Sequence, residues 1–185
     1  MYVGTQYLGT SRMEMEFLVR HGVTHFDARV EAHDVDTLKR HREAAAEYGV
    51  DLEMVHIPIQ DSIGHAAPDR DEAIDRVCEW IENAAEAGLR GLNYNFCVLP
   101  HQSTERSSGR GGVSYRTFKL EEYTPARDFS RSSHLFGQET QRYCGGRYDN
   151  ETLSKAGKVS RDEVFARAKY FLDRVIPVAE EFKIQ

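Results

Sequence analysis

Three glycines, Gly22, Gly49 and Gly88, each close a helix-like run and are each followed within a few residues by a short apolar stretch. Glycine ends helices because, lacking a Cβ, it enters the left-handed conformation of the residue after the last turn. Each run also has a start. Ser11 caps a helix whose apolar positions Met15, Leu18 and Val19 recur at helical spacing, and Asp34 begins one through Leu38, Ala45 and Tyr48. From about Asp71, a third carries Ile74, Val77, Cys78, Ile81, Ala84 and Ala85 along one stripe. Between these helices, residues 3–7, 23–28, 52–57 and 91–96 read as strands, the third closed off by Pro58.

Strand alternating with helix implies parallel strands joined by right-handed crossovers, so the expected class is α/β. The regular placing of the glycines predicts a TIM-type (β/α) barrel rather than a nucleotide-binding open sheet. The run after the first strand, Gly4-Thr5-Gln6-Tyr7-Leu8-Gly9, is not the G-x-G-x-x-G of dinucleotide folds. A last helix starts at Ser160, with Glu163 placed for a capping box and Val164, Ala168, Phe171, Leu172, Val175 and Ile176 on its apolar face; Pro177 is expected to kink it. Residues 182–185 read as the start of a fifth strand. About four βα units in 185 residues form one domain, the N-terminal part of an eight-fold barrel. Open sheet edges of that kind call for a homo-oligomer or a C-terminal half to cover them.

Between residues 98 and 158 the pattern lapses into Ser, Gly, Arg and aromatic residues, longer than compact domains tolerate without function or internal structure. Residues 101–150 carry a charge of +2 while the rest of the chain carries -8. A basic lid after the fourth strand is the expectation, with Gly109, Gly111 and Gly112 able to bend it. The net charge of -6 and pI near 5.8 argue against nucleic-acid and membrane-surface partners. There is no signal-peptide pattern and no apolar run of about 20 residues, so a cytoplasmic protein is expected. The three cysteines, Cys78, Cys97 and Cys144, have neither C-x-x-C spacing nor an even count, which indicates free thiols.

Barrel enzymes keep their chemistry at the C-terminal ends of the strands. Asp27 ends the second strand, His56 the third, and Asn95 and His101 stand at and after the end of the fourth. In the stretch 91–96, a period of two puts Leu92, Tyr94 and Phe96 on one face and Asn93 and Asn95 on the other, so the amide face is either an internally bonded interior or the floor of a site. Arg29, Arg106, Arg110 and Arg116 offer planar donor forks for an anionic small molecule. No H-E-x-x-H, G-x-S-x-G or Walker loop is present.

The run Gly88-Leu89-Arg90-Gly91-Leu92-Asn93-Tyr94-Asn95-Phe96, its Arg-containing loop and the stretch from Phe171-Leu172 to Ile176-Pro177-Val178-Ala179-Glu180-Glu181 together resemble the N-terminal half of the D-mannonate dehydratase family. That resemblance implies a xylose-isomerase-like barrel and a lyase that removes water from D-mannonate to give 2-keto-3-deoxygluconate. It also implies a divalent metal, manganese, in the complete enzyme, with ligands and proton-transfer groups beyond Gln185. No metal ligand is assigned within the chain, and the 185-residue polypeptide alone is expected to be inactive. Arg106 looks like the counterpart of a family loop arginine, and Tyr115-Arg116-Thr117-Phe118 stands where the family has an Arg-Phe pair. Asn95, His101, Arg106, Arg116, Asp27 and His56 are therefore expected to bind a small-molecule sugar acid. Asp27-Ala28-Arg29 replaces a family histidine pair, which keeps a related sugar isomerase or epimerase, and a non-catalytic dimeric half-barrel, as alternatives.

Overall fold

The computed structural model describes residues 2–59, 61–96, 106–115, 117–122, 133–135, 138–140 and 159–185. The first elements are β1 (Gly4–Leu8), α1 (Arg12–Arg20), β2 (His25–Ala28), α2 (Val35–Ala46) and β3 (Asp51–His56). There follow α3 (Asp61–His65), α4 (Arg70–Glu86) and β4 (Gly91–Asn93), and α5 (Arg161–Phe182) closes the chain. Between β4 and α5 lie the short strands β5 (Ser107–Ser108), β6 (Ser114–Tyr115), β7 (Ser133–Leu135) and β8 (Gln138–Thr140). Gly22, Gly49 and Gly88 adopt φ of +70°, +71° and +75°, the left-handed state that the helix ends demand.

The helix starts follow from side chains. Ser11 and Glu14 form a complete capping box, and the buried Glu14 carboxylate accepts the amides of Gly9 and Ser11 at 2.9 and 3.1 Å, pinning the turn after β1. Asp34 Oδ1 accepts the amide of Thr37 at 2.9 Å. The box expected at Ser160 is only half made: Ser160 Oγ accepts the Glu163 amide at 3.2 Å, while the Glu163 carboxylate pairs with Arg167. Pro177 lies inside α5 without ending it.

β1 to β4 form one parallel sheet in the order β1-β2-β3-β4. Sequential order is that of a barrel; a doubly wound open sheet reverses direction at a switch point. A register shift between Phe26 and Asp27 in the β2–β3 pairing sets two faces. Phe26, Ala28, Leu52, Val55 and Ile57 join the core with Met15 and Leu18 of α1, Leu38 of α2, Ile74, Val77 and Ile81 of α4, and Phe171 and Val175 of α5. The opposite, inner face carries Asp27, Met54, His56 and Asn93.

One local expectation is corrected. β4 stops at Asn93 rather than Phe96, because Tyr94 and Phe96 leave the ladder to pack on Phe171, with ring centroids 5.4 and 6.1 Å away. Residues 61–65 form a short helix, anchored by the fully buried Ile63. Beyond α5, Gln185 N donates to Arg90 O and Leu92 N donates to Gln185 O, both at 2.9 Å, which is one rung of a strand parallel to β4. The segment expected as a lid contains antiparallel pairs of its own, β5 with β6 and β7 with β8. Gly111 and Gly112 turn the chain between β5 and β6 at φ of +72° and +78°. No helix among the described residues is long and apolar enough to cross a membrane.

Candidate functional site

Parallel strands in register place same-face residues side by side, so the inner face gathers its polar groups at the C-terminal ends of β2, β3 and β4. His56 stands opposite Asn93 in the β3–β4 pairing, and the Asn93 amide reaches across β3 to Asp27: Nδ2 donates to Oδ2 at 2.5 Å. Asp27 is 1 % exposed, and its Oδ1 has no hydrogen-bond partner among the described residues. Burial pushes the Asp27 carboxyl up to about 6, against the opposing pulls of the Asn93 hydrogen bond and the Arg29 charge. Burial, and then the positive charge of Arg29, press the buried His56 imidazole down to about 3. Near neutral pH the face therefore presents a neutral imidazole beside a carboxyl that titrates readily.

A second layer supports it. The ring of His33, in the turn after β2, has Nε2 3.0 Å from the His56 carbonyl, packs on Trp80 of α4 at 4.7 Å between centroids, and burial lowers its pKa. Asn83 of α4 donates to the His33 carbonyl at 3.1 Å. At the rim, His41 of α2 bridges two strand-end turns, with Nδ1 2.6 Å from Thr10 Oγ1 and Nε2 2.7 Å from Glu31 Oε2. That hydrogen bond from His41 holds the Glu31 carboxyl below its ordinary range.

Of the residues singled out from sequence, Asp27 and His56 come together on the inner face. Asn95 is half-buried, two residues past Asn93 and beyond the end of β4. Arg106 is exposed and bonded to Ser114 across the β5–β6 pair: Nε donates to Ser114 Oγ at 2.8 Å and the guanidinium also reaches the Ser114 carbonyl. His101 and Arg116 lie outside the described residues, as do Cys97 and Cys144. Asn93 carries more of the site than Asn95, and the alternation in 91–96 already marked it. His33, His41 and Glu31 had no sequence signal, since their roles come from turns meeting in space.

Among the described residues no group of three or more His, Cys, Asp or Glu side chains could hold a metal ion. Asp27 and His56 both feel the positive charge of Arg29, which disfavours a cation there. The described residues do not fit a divalent metal.

A model of the D-mannonate dehydratase (UxuA) family matches residues 21–185. The mannonate dehydratase of Shouchella clausii is 31% identical over 156 residues, covering 78% of this chain and 42% of that protein. That of Thermotoga neapolitana is 28% identical over 172 residues, covering 86% and 47%. The chain thus spans less than half the length of these relatives. Among solved structures, mannonate dehydratase from Streptococcus suis serotype 2 superposes with a TM-score of 0.74 at 18% identity, covering all of this chain and 52% of that one. D-psicose 3-epimerase does so with a TM-score of 0.51 at 12% identity. At such identities the superpositions speak for the fold alone, a partial TIM barrel. The family match runs through the strands that build the inner polar face, and the chain belongs to the D-mannonate dehydratase family.

Proposed function

We propose that this chain supplies the N-terminal, substrate-binding side of a hydro-lyase acting on D-mannonate. In that reaction a proton leaves C2 and the C3 hydroxyl leaves as water; the resulting enol becomes the 2-keto-3-deoxy acid. The observation that carries the reading is the inner polar face of Asp27, His56 and Asn93 at the strand ends, within a segment that the family model covers. A polyhydroxy acid needs many hydrogen-bonding partners for its hydroxyls and a cationic partner for its carboxylate. Asp27, Asn93, Asn95 and His56 suit the hydroxyls, and Arg29, Arg106 and Arg116, with His101, suit the carboxylate end.

The divalent metal implied by the resemblance, manganese, would come with residues other than those described; its chemistry would be to stabilise the enolate that develops beside the carboxylate. The chain's own residues bind and orient the acid, and Asp27 and His56 hold a proton-accepting and a neutral group on the inner face. The outer edge of β1 has no strand partner among the described residues, which supports further barrel strands or a second copy as the partner. Acidic charge and the absence of a long apolar helix among the described residues support a cytoplasmic setting.

The test is to supply D-mannonate and a divalent metal to the longest product that the gene encodes and to follow 2-keto-3-deoxygluconate. Product from D-mannonate and none from neutral sugars is expected. Isomerisation of a keto-sugar without dehydration of any aldonic acid would overturn the reading.

A further inference from the structure

We propose that Asp27 is a specificity-determining residue whose Oδ1 is reserved for one hydroxyl of the bound polyol chain; this rests on the sugar-acid reading above. The two carboxyl oxygens have different fates. Oδ2 is fixed by Asn93, which locks the side chain in place across β3, while Oδ1 has no partner among the described residues. A buried polar atom without a bond is costly, and folds retain such atoms chiefly where something else completes the bond. The position is central: β2 lies between β1 and β3, and Asp27 is in register with Gln6 on one side and Met54 on the other. Neither register neighbour is charged, and Arg29 is the cationic group that acts on Asp27.

The ligand chemistry follows from that setting. Asn93 already satisfies the carboxyl on one side, and Arg29 offsets its charge, so a second cation is not required. A hydroxyl is small, donates one hydrogen bond and enters without a charge of its own. Because Asp27 is only 1 % exposed, a hydroxyl that reaches Oδ1 does so out of water. A buried acceptor built for a hydroxyl discriminates strongly against an analogue that lacks it, since the acceptor is then left unpaired. Asp27 would therefore select for one hydroxyl of the chain rather than contribute uniform affinity.

The experiment uses the full gene product and compares wild type, Asp27→Ala and Asp27→Asn on D-mannonate and on its analogues deoxygenated singly at C4, C5 or C6. In the wild type, one analogue is expected to lose about 10- to 100-fold in kcat/KM. In Asp27→Ala that same analogue and the parent should differ by less than about threefold, so that the two losses do not multiply. Asp27→Asn keeps an oxygen for Asn93 and preserves the fold, and it should blunt the same analogue's penalty if the alanine variant does not fold. Losses that multiply at all three positions would mean that Asp27 acts only structurally, or that Oδ1 is served by a water, and would overturn the proposal. If the wild type leaves D-mannonate unchanged, the function reading fails by itself. Thermal shifts with D-fructose and its single-deoxy analogues, wild type against Asp27→Asn, then read the Asp27 bond: a penalty at one position that the variant abolishes supports it, and its absence overturns it.

Discussion

The side-chain amide of Asn93 donates to the carboxylate of Asp27 at 2.5 Å, joining β4 to β2 over the inner face of β3. Two residues 66 positions apart are thereby fixed to each other. The bond explains how a carboxyl can sit on an inner strand face, while the burial that raises its pKa makes the folded state sensitive to protons.

Burial lifts the Asp27 pKa from 3.8 to about 6, so the folded chain holds this proton more tightly than the unfolded one. The cost of ionising it is absent below about pH 4 and complete above about pH 6, where it amounts to roughly 3 kcal/mol. His56 runs the other way: its pKa falls from 6.5 to about 3, so its neutral form's contribution is present above 6.5 and is lost as pH drops. In Asp27→Asn the first effect disappears. The difference in melting temperature, variant minus wild type, should rise from pH 4 to pH 6 and stay level above it; a difference that does not change with pH would show that Asp27 is not held in this way.

Phe171, 1 % exposed, receives both rings that leave β4, Tyr94 and Phe96. Phe171→Ala removes the packing between α5 and the end of β4 and is expected to cost about 3–5 kcal/mol in urea denaturation. A cost below about 1 kcal/mol would mean that the cluster collapses without loss and does not set where β4 ends.

A Cβ at Gly91 would stand 2.8 Å from Gln185 O and 3.0 Å from Met54 Cγ. The first of these is backbone already bonded to Leu92 N, so it cannot yield without breaking its rung. Gly91→Ala should therefore destabilise the fold by about 1–3 kcal/mol. Hydrogen exchange at Leu92 N should accelerate with it, and unchanged protection of that amide would show that the rung tolerates the side chain.

Much of this was legible in the sequence. Helix-ending glycines and caps at Ser11 and Asp34 are local chemistry, written within a turn of where they act, and the structure keeps them. The alternation in residues 91–96 likewise put Asn93 opposite Leu92 and Tyr94. What depended on distant partners was not legible. Glu163 had two possible uses, the cap and Arg167, and only the folded helix decides between them. β4 is short because Phe171, far along the chain, draws the aromatic residues away. The Asp27–Asn93 bond needed a register shift between β2 and β3 that no local pattern announces.

Arg106 has two roles to separate. It braces the β5–β6 pair through Ser114, accepted by both the hydroxyl and the carbonyl, and it is proposed to bind the sugar acid's carboxylate. Ser114→Ala removes the hydroxyl and leaves the carbonyl, so it weakens the brace without touching the guanidinium charge. If Arg106 meets the substrate, Arg106→Ala in the full gene product should raise KM for the acid by about tenfold or more, as expected for a lost charge-assisted hydrogen bond. Ser114→Ala should change it by less than about twofold. Arg106→Lys should recover only part of the loss, because an ammonium keeps the charge and lacks the planar fork. Equal effects of Arg106→Ala and Ser114→Ala would mean that Arg106 works only by shaping the strand pair, and its place among the substrate-binding residues would then be lost.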